Sequence, residues 1–368
     1  MNNPKLRWGL LGTADIARKN WQAIQLSGNG TITAVASRDL ERSRRFIAAC
    51  QTEAPMDEVP QALGSYEDLL ASPTVDAVYV PLPTGLRKTW VLRAARAGKH
   101  VVCEKPCAPS VADLREMLQA CQQHGVQFMD GVMFMHSRRL DLLRQILDDA
   151  SNLGQVRHIA SAFTFRQAPE FFAGNIRMHS ELEPLGALGD LGWYCIRFVL
   201  WALQWRRPRQ VTGHLLSQSR RPDSPADVST EFSGTLLFDD GVSSDFYCSF
   251  LTETEQWVKI SGTRGCVELD DFVLPFAGKE VGFDVHHADF QVRGCDFRME
   301  PRPQRYAVAE PSHGHADAQE ANLFRHFATQ VRSGQLDPDW PEAALKTQLV
   351  TCACLDSARA GGRPVPMG

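Results

Sequence analysis

Three polar side chains, Lys105, Asp190 and Tyr194, are of the types that can move a proton to or from an alcohol oxygen. Lys105 ends an apolar run and directly precedes proline, so its backbone is held extended and cannot enter a helix. Tyrosine is a poor base at neutral pH because its ordinary pKa is about 10, unless a nearby cation favours the phenolate. Lys105 can supply that charge. These three side chains suit the oxidation of an alcohol, in which the hydroxyl loses its proton while a hydride leaves the carbon that bears the hydroxyl.

Two of these residues lie in "EPLGALGDLGWYCIRFVLWAL", residues 183–203, a glycine-rich turn that continues as an apolar helix. Asp190 and Tyr194 are four apart and Arg197 follows three later, which predicts one polar helical face. We hypothesise that Tyr194 donates or accepts the proton, that Lys105 lowers its pKa and polarises a substrate carbonyl, and that Asp190 orients Lys105 or a substrate hydroxyl. Lysine and tyrosine could exchange roles. Arg197 fits either the chemistry or a core ion pair.

Two further side chains are candidates for gripping hydroxyl groups of a substrate. Arg177 lies in "NIR" and His136 in "FMH". A lone histidine fits a hydrogen-bonded structural position equally well, so both interpretations of His136 stay open. The predicted substrate-binding set is Lys105, His136, Arg177, Asp190 and Tyr194.

The elements that carry Lys105 belong to an alternating pattern in the first part of the chain. Short apolar runs separated by helix-length segments occur at "LRWGLLG", "ITAVASRD", "DAVYVPLP", "HVVCEKP" and "VQFMDG". Continuous apolar runs of this kind are typical of buried parallel strands. The pattern predicts an α/β Rossmann-type, doubly wound parallel sheet in a dinucleotide-binding domain, residues 1–134.

The sequence pattern changes after this domain. Residues 135–368 are predicted to form an α+β domain for substrate binding and oligomerisation. Tight turns such as "FDDG" and "SGTRG" join several strand-like runs, which favours an open, mostly antiparallel sheet. Two helices are expected near the end, in "ADAQEANLFRHFATQVRSG" and "PEAALKTQLVTCACLDSARA". The strand-like runs are 155–166, 210–217, 230–238, 242–250, 255–261 and 265–272, and residues 275–315 are expected to be irregular surface loops.

The first strand leads into an approximate G-x-G-x-x-G/A fingerprint. Ala14 stands at the second glycine position, where a small residue still lets backbone N–H groups approach a pyrophosphate at a helix N-terminus. An ordinary tight strand-to-helix turn is the alternative, but the position after the first strand of an alternating pattern favours the fingerprint. The predicted cofactor-binding residues in this turn are Gly9, Gly12, Thr13, Ala14, Asp15 and Ile16.

The second strand ends in Ser37-Arg38-Asp39, where an NAD enzyme usually places an acidic residue on the ribose 2′-hydroxyl. A hydroxyl beside a guanidinium suits a 2′-phosphate, so Ser37 and Arg38 predict NADP(H) in preference to NAD(H). The alternative is a solvated turn in which Asp39 caps the next helix.

The fourth and fifth strands end in "PLPTGLR" and "EKP". Open α/β sheets bind their ligands at the carboxyl ends of parallel strands, so both segments are expected to face the cofactor. These predicted cofactor-binding residues are Pro81, Leu82, Pro83, Thr84, Arg87, Glu104 and Lys105.

Composition and charge argue against several other classes of function. The net charge of −4 and sequence pI near 6.3 provide no basic surface for nucleic acid. Residues 191–205, the most apolar stretch, are interrupted by Arg197 and are too short to span a membrane. The start "MNNPKLRWGLLG" predicts a strand rather than a signal peptide, so a cytoplasmic location is expected.

No metal is expected, and His313 and His315 are assigned to a polar loop before a helix.

Seven separated motifs in order, "GTADIARK", "AVASRD", "YVPLPT", "EKP", "MDGVMFMH", "NIR" and "GALGDLGWYCIR", resemble the Gfo/Idh/MocA family of oxidoreductases. The resemblance is strongest to its plant-type NADP-dependent branch, beside the dihydrodiol and D-xylose dehydrogenase groups. It implies that Lys105 is the catalytic lysine, that Asp190 is its acidic partner and that Tyr194 takes a position held by histidine or tyrosine. Arg87 departs from the histidine common there, and could contact an anionic group or point to solvent.

The resemblance and the residues together predict an NADP-dependent dehydrogenase or reductase acting on CH–OH groups of a sugar, polyol or cyclic diol. One alternative is a redox-assisted glycoside-cleaving enzyme with tightly bound NAD(P), against which Ser37 and Arg38 argue. Another is a non-catalytic NADP-binding regulatory protein, which would be expected to lack Lys105 or Tyr194. By analogy, a homodimer or homotetramer is expected to form through the second sheet.

Overall fold

The computed structural model describes residues 4–368, which divide into two compact units. Residues up to 136, together with 179–184 and 313–348, form the first unit. The second unit comprises residues 137–178, 185–312 and 349–368. Residues 1–3, on which the expectation about a signal peptide partly depends, lie outside the described range.

Strands and α-helices alternate in the first part of the chain, and strands predominate in the second. In chain order, the strands are β1 (Leu6–Leu11), β2 (Gly30–Ala36), β3 (Gln61–Leu63), β4 (Ala77–Val80), β5 (His100–Cys103), β6 (Phe128–Asp130), β7 (Val156–Thr164), β8 (Gln210–Ser219), β9 (Val228–Leu237), β10 (Ser243–Ser249), β11 (Glu255–Gly262), β12 (Cys266–Leu269), β13 (Val281–Arg293), β14 (Asp296–Val308) and β15 (Val365–Pro366). The α-helices are α1 (Asp15–Leu26), α2 (Leu40–Glu53), α3 (Tyr66–Ala71), α4 (Thr84–Arg96), α5 (Val111–Gln123), α6 (Arg139–Asp148), α7 (Pro169–Gly174), α8 (Trp193–Ala202), α9 (Gln319–Ser333) and α10 (Asp339–Arg359).

The first unit contains a parallel sheet with the strand order β3-β2-β1-β4-β5-β6. Its order reverses between β1 and β4, where doubly wound sheets open a crevice for a ligand. Strands β4 and β5 are completely or largely buried, as expected for continuous apolar runs covered by helices on both faces. The predicted Rossmann-type sheet is confirmed, with the short β3 added at its edge.

The second unit contains a nine-stranded sheet with the order β14-β13-β12-β11-β7-β10-β9-β8-β15. The ladder between β7 and β10 is parallel, and the other strand pairs described are antiparallel. The predicted open, mostly antiparallel sheet is confirmed. Its predicted strand-like runs correspond to β7–β12 within a few residues.

The expectation of irregular loops over residues 275–315 is wrong for most of that stretch. β13 and β14 pair along thirteen residues each and form a long hairpin. Pro301 and Pro303 lie in β14, the edge strand, where a missing N–H need not interrupt the sheet. β14 is almost entirely exposed and contains two prolines, which in a sequence argue against a strand.

Helix α9 belongs to the first unit, although the sequence places residues 135–368 in one later domain. Phe324 and Phe327 of α9 pack on Trp8 of β1 with ring-centroid distances of 5.2 and 5.3 Å. All three side chains are almost fully buried. The apolar face of α9 therefore completes the core beneath the parallel sheet, a long-range contact that local patterning cannot reveal.

Among residues 4–368, no helix combines the length and apolar character that crossing a bilayer requires.

Candidate active site

The turn after β1 has the backbone geometry that the dinucleotide fingerprint requires. Gly12 has φ +125°, and a Cβ placed there would lie 3.3 Å from the side chain of Leu82. Ala14 is the N-cap of α1, and its side chain cannot accept a hydrogen bond from the first N–H groups of the helix. Gly9 has a packing role instead, because an added Cβ would meet the side chain of Leu69 at 2.6 Å. The chain thus leaves room and backbone donors at the beginning of α1. Asp15 and Ile16 are the first two residues of this helix.

Two arginines follow β2, and only Arg38 was predicted from the sequence. Arg38 is exposed, and one turn later Arg42 donates from Nε to the Thr13 hydroxyl at 2.8 Å. Burial raises the pKa of the Tyr66 phenol, and the positive charges of Arg38 and Arg42 oppose that rise. A Cβ on Gly12 would lie 3.9 Å from the Tyr66 hydroxyl, so both arginines flank the fingerprint turn.

Ser37 and Asp39 organise this turn from within. The Ser37 hydroxyl donates to the Asp39 carbonyl and accepts from the Ser43 hydroxyl at 3.1 Å. The Asp39 carboxylate accepts from the backbone N–H groups of Glu41 and Arg42, so it caps α2. The segment can therefore be a turn in which Asp39 caps α2 and still bind a 2′-phosphate. The exposed groups are the guanidinium groups of Arg38 and Arg42, and not the Ser37 hydroxyl.

A strap formed by residues 179–184 closes the beginning of α4 within the first unit. Glu183 accepts hydrogen bonds from both the backbone N–H and the hydroxyl of Thr84. Gly85 donates its N–H to the carbonyl of Leu182 at 2.9 Å, and a Cβ there would collide with the Glu181 carbonyl. Thr84 was predicted to bind cofactor, but its polar groups hold the strap. The segment Pro81–Pro83 precedes it at the carboxyl end of β4.

A buried hydrogen-bond chain fixes the residue before Lys105. Asn20 donates to the Tyr79 hydroxyl, which in turn donates to the Glu104 carboxylate, each at 2.6 Å. The same carboxylate accepts from the Lys105 backbone N–H at 3.3 Å. Burial and the neighbouring Glu104 charge raise the pKa of Tyr79 well above its ordinary value, so it stays a neutral donor. A side chain on Gly131 would collide with Glu104.

Arg87 neither points to solvent nor lacks partners. Its side chain is 5% exposed, and its guanidinium donates to the backbone carbonyls of Leu82, Glu104 and Pro106. The solvent-facing alternative is therefore wrong. Arg87 joins the segments that follow β4 and β5.

In the second unit, the structure brings Arg177 and Asp190 together. Arg177 Nε lies 2.7 Å from Asp190 Oδ2, and both side chains remain partly exposed. Tyr194 is 6% exposed, and its ring packs edge-to-face on Phe163 with a centroid distance of 5.5 Å. Three predicted substrate-binding side chains thus belong to one unit, and two of them form an ion pair.

The helix that carries Asp190 and Tyr194 begins differently from the sequence expectation. Leu188–Gly192 forms a π-helical turn that continues directly into α8. Gly186, with φ +52°, precedes it where any Cβ would collide with the Ser229 backbone. Single π-helical turns within α-helices are frequently found at functional sites. Asp190 lies in this turn.

His136 lies in the first unit, in a 3₁₀ turn at Met133–His136. Its Nδ1 lies 3.1 Å from Nδ1 of His326 on α9, and its ring is 6.3 Å from that of Trp340. These contacts favour the structural interpretation left open by the sequence. Within the described range, no group of three or more His, Cys, Asp or Glu side chains could hold a metal ion.

Two family models match the chain. The model described as "Oxidoreductase family, NAD-binding Rossmann fold" matches residues 6–132. The "GFO/IDH/MocA C-terminal domain" matches residues 141–268.

Individual relatives are similar over most of the chain. A dTDP-3,4-didehydro-2,6-dideoxy-alpha-D-glucose 3-reductase of Streptomyces violaceoruber is 35% identical over 308 residues, 83% of each chain. D-xylose 1-dehydrogenase (NADP(+)) 2 of Haloferax volcanii is 32% identical over 265 residues, covering 72% of this chain and 75% of its own. The structure of KijD10, a 3-ketoreductase from Actinomadura kijaniata in complex with NADP and TDP-benzene, superposes with a TM-score of 0.79 at 27% identity and 98% coverage of both chains.

The hydrogen-bond chain to Glu104 generates a prediction about stability. Tyr79→Phe removes a donor from a buried carboxylate, so the free energy of unfolding should fall by about 1–3 kcal/mol. Chemical denaturation followed by circular dichroism measures this change. Tyr306→Phe is the control, because that ring stacks on Phe283 in the other unit. Equal stability of Tyr79→Phe and the unmodified protein would contradict the assigned role of the hydroxyl.

Proposed function

This chain belongs to the Gfo/Idh/MocA family of oxidoreductases, and we propose that it transfers a hydride between NADP(H) and a hydroxyl- or carbonyl-bearing carbon of a carbohydrate-like substrate. The substrate class comprises sugars, polyols and cyclic diols, including nucleotide-linked keto sugars. The observation that carries the proposal is the convergence, in one unit, of the Gly12 turn and the fixed Glu104-Lys105 segment beside the reversal in strand order.

The residues around the Gly12 turn fit an NADP molecule. The open N-terminus of α1 suits a pyrophosphate, and the cationic pair Arg38 and Arg42 suits a ribose 2′-phosphate. No carboxylate replaces Arg38 at the end of β2, and Asp39 is engaged in capping α2. When bound, the nicotinamide supplies the hydride acceptor or donor.

The chain's own groups handle the proton and the substrate oxygen. We infer that Tyr194 donates or accepts the proton and that Lys105 holds the reacting oxygen. Lysine and tyrosine can exchange these roles. Arg177 and Asp190, already paired, offer both a donor and an acceptor to neighbouring hydroxyls of a carbohydrate.

Self-association is proposed to use the β13–β14 hairpin. Paired positions place Phe290, Val292, Phe297 and Met299 on one face near its tip, and each is more than half exposed. Residues 289–302 carry three acidic and three arginine side chains, a balance that suits pairing with a second copy. Two prolines in β14 disfavour strand addition at the edge, so the apolar face is the contact.

The first test is a nicotinamide absorbance screen. Aldoses, polyols and dihydrodiols with NADP⁺, and keto sugars with NADPH, should reveal at least one substrate with net cofactor turnover. Lys105→Met and Tyr194→Phe should each lower kcat by about 10²–10⁴-fold because they remove proton transfer or its electrostatic support. Cofactor binding and the unfolding midpoint serve as controls. A folded, cofactor-binding variant with full turnover would remove its residue from the mechanism.

Cofactor preference is tested by binding. Arg38→Ala and Arg42→Ala should each weaken NADPH about 10–100-fold by removing a charge-assisted contact, while NADH affinity changes little. Fluorescence titration measures both cofactors. Arg44→Ala is the matched control, because Arg44 is exposed on the same helix and pairs with Glu41. Tighter binding of NADH than NADPH, or unchanged NADPH affinity in Arg38→Ala, would refute the preference.

Oligomerisation is tested by sedimentation equilibrium. The unmodified chain should sediment as a dimer or tetramer, and Phe297→Asp should shift it to monomer, because burying a carboxylate in an apolar contact is costly. Phe276→Asp, at a similarly exposed site before the hairpin, should leave the mass unchanged. A monomeric mass for the unmodified chain, or no effect of Phe297→Asp, contradicts the proposed contact.

A further inference from the structure

Arg87 occupies an unusual position for a charged side chain. It lies in the first turn of α4 and is 5% exposed. A helical side chain points back toward the N-terminus of its helix, which here follows the carboxyl end of β4. The guanidinium is therefore held at the ligand-binding edge of the parallel sheet without projecting from it.

The hydrogen bonds of Arg87 join two separate chain segments. Nε donates to the Leu82 carbonyl at 2.7 Å, between β4 and α4. Nη1 donates to the Glu104 carbonyl at 2.9 Å and to the Pro106 carbonyl, both in the segment that follows β5. The two carbonyls on Nη1 belong to the residues immediately before and after Lys105.

We propose that Arg87 is a positioning residue that holds Lys105 in its reactive position by clamping the backbone on both sides of it. The Glu104 side chain adds a third restraint, because it accepts from the Lys105 N–H while Tyr79 holds it. The backbone of Lys105 is thus fixed through its own N–H and through the carbonyls of both neighbours. This inference rests on the proposed function, in which Lys105 contacts the reacting oxygen.

A guanidinium is the side chain that suits this task. It presents several N–H donors in a rigid planar fork, so one side chain can reach carbonyls of two segments simultaneously. A lysine ammonium at the same place would be a flexible point charge, without the planar fork that fixes two segments relative to each other. The Arg87 charge also acts on the adjacent buried pair, because it opposes the rise in the pKa of Tyr79 that burial and Glu104 produce.

The kinetic experiment compares Arg87→Met and Arg87→Lys with Arg96→Met, an exposed position on the same helix. Arg87→Met should lower kcat about a hundredfold, since small displacements of a catalytic group have effects of that size. Arg87→Lys should lower kcat less, and Arg96→Met should not change it. KM and NADPH affinity should stay near their original values in all three. A raised KM or weakened NADPH binding with unchanged kcat would make Arg87 a ligand contact and overturn the proposal.

A double variant separates positioning from general stability. In a Lys105→Met background, Arg87→Met should cause little further loss of kcat, because Arg87 acts through Lys105. A loss by the same factor in both backgrounds would indicate a purely structural role and overturn the proposal. If Arg87→Met does not unfold cooperatively and is therefore not properly folded, Arg87→Lys replaces it in both the original and the Lys105→Met background.

Amide hydrogen exchange tests the clamp without any substrate. The peptide covering residues 103–108 should exchange faster in Arg87→Met and Arg87→Lys than in the unmodified chain or in Arg96→Met. Unchanged exchange overturns the clamp even if the enzyme turns over nicotinamide. Faster exchange in a chain that turns over no substrate in the screen would instead support the clamp and refute the proposed function.

Discussion

Several polar side chains at the carboxyl edge of the parallel sheet are buried. Each buried polar group there needs a partner within the protein, since an unsatisfied one costs on the order of 1–3 kcal/mol. Tyr79 meets this requirement for Glu104, Arg87 meets it for three backbone carbonyls, and Glu183 meets it for Thr84. The same bonds that satisfy buried groups also fix the backbone on which Lys105 lies. Stability and preorganisation of the edge therefore have one physical origin.

The fold could be predicted where the pattern of neighbouring residues in the sequence indicates the secondary structure. Buried parallel strands are continuous apolar runs, and hairpins in the second sheet alternate between turn residues and apolar residues, so both sheets could be inferred from the printed sequence. The β13–β14 hairpin was not predicted, because β14 is exposed along almost all of its length and its two prolines argue against a strand. The position of α9 against Trp8 depends on a contact between residues more than 300 apart.

The sequence could predict which residues belong to the candidate site, but not most of their hydrogen-bond and ion-pair partners. Lys105 follows from its place before proline at a strand end, but nothing local indicates that Arg87 binds the carbonyls beside it. Arg42 could have been predicted, since it lies four residues after Arg38, in the first turn of the helix that follows β2. The ion pair of Arg177 with Asp190 joins residues thirteen apart across two non-α-helical turns, where spacing rules for regular helices do not apply.

Helix α8 shows why polar residues on an apolar helix need separate explanations. Nearly the whole of α8 is buried, so its polar members must be satisfied by protein groups. Arg197, 2% exposed, places its guanidinium carbon 5.9 Å from the ring centroid of Trp193 and 5.8 Å from that of Trp205. Cation–π contacts of this kind stabilise a buried charge and favour a core role. Asp190 instead lies before α8, in the π-helical turn, where its carboxylate remains partly exposed and is paired with the more exposed Arg177. The shared helical face inferred from spacing thus divides into a core cation and a partly accessible acid–base pair, and the change from π- to α-helical geometry separates them.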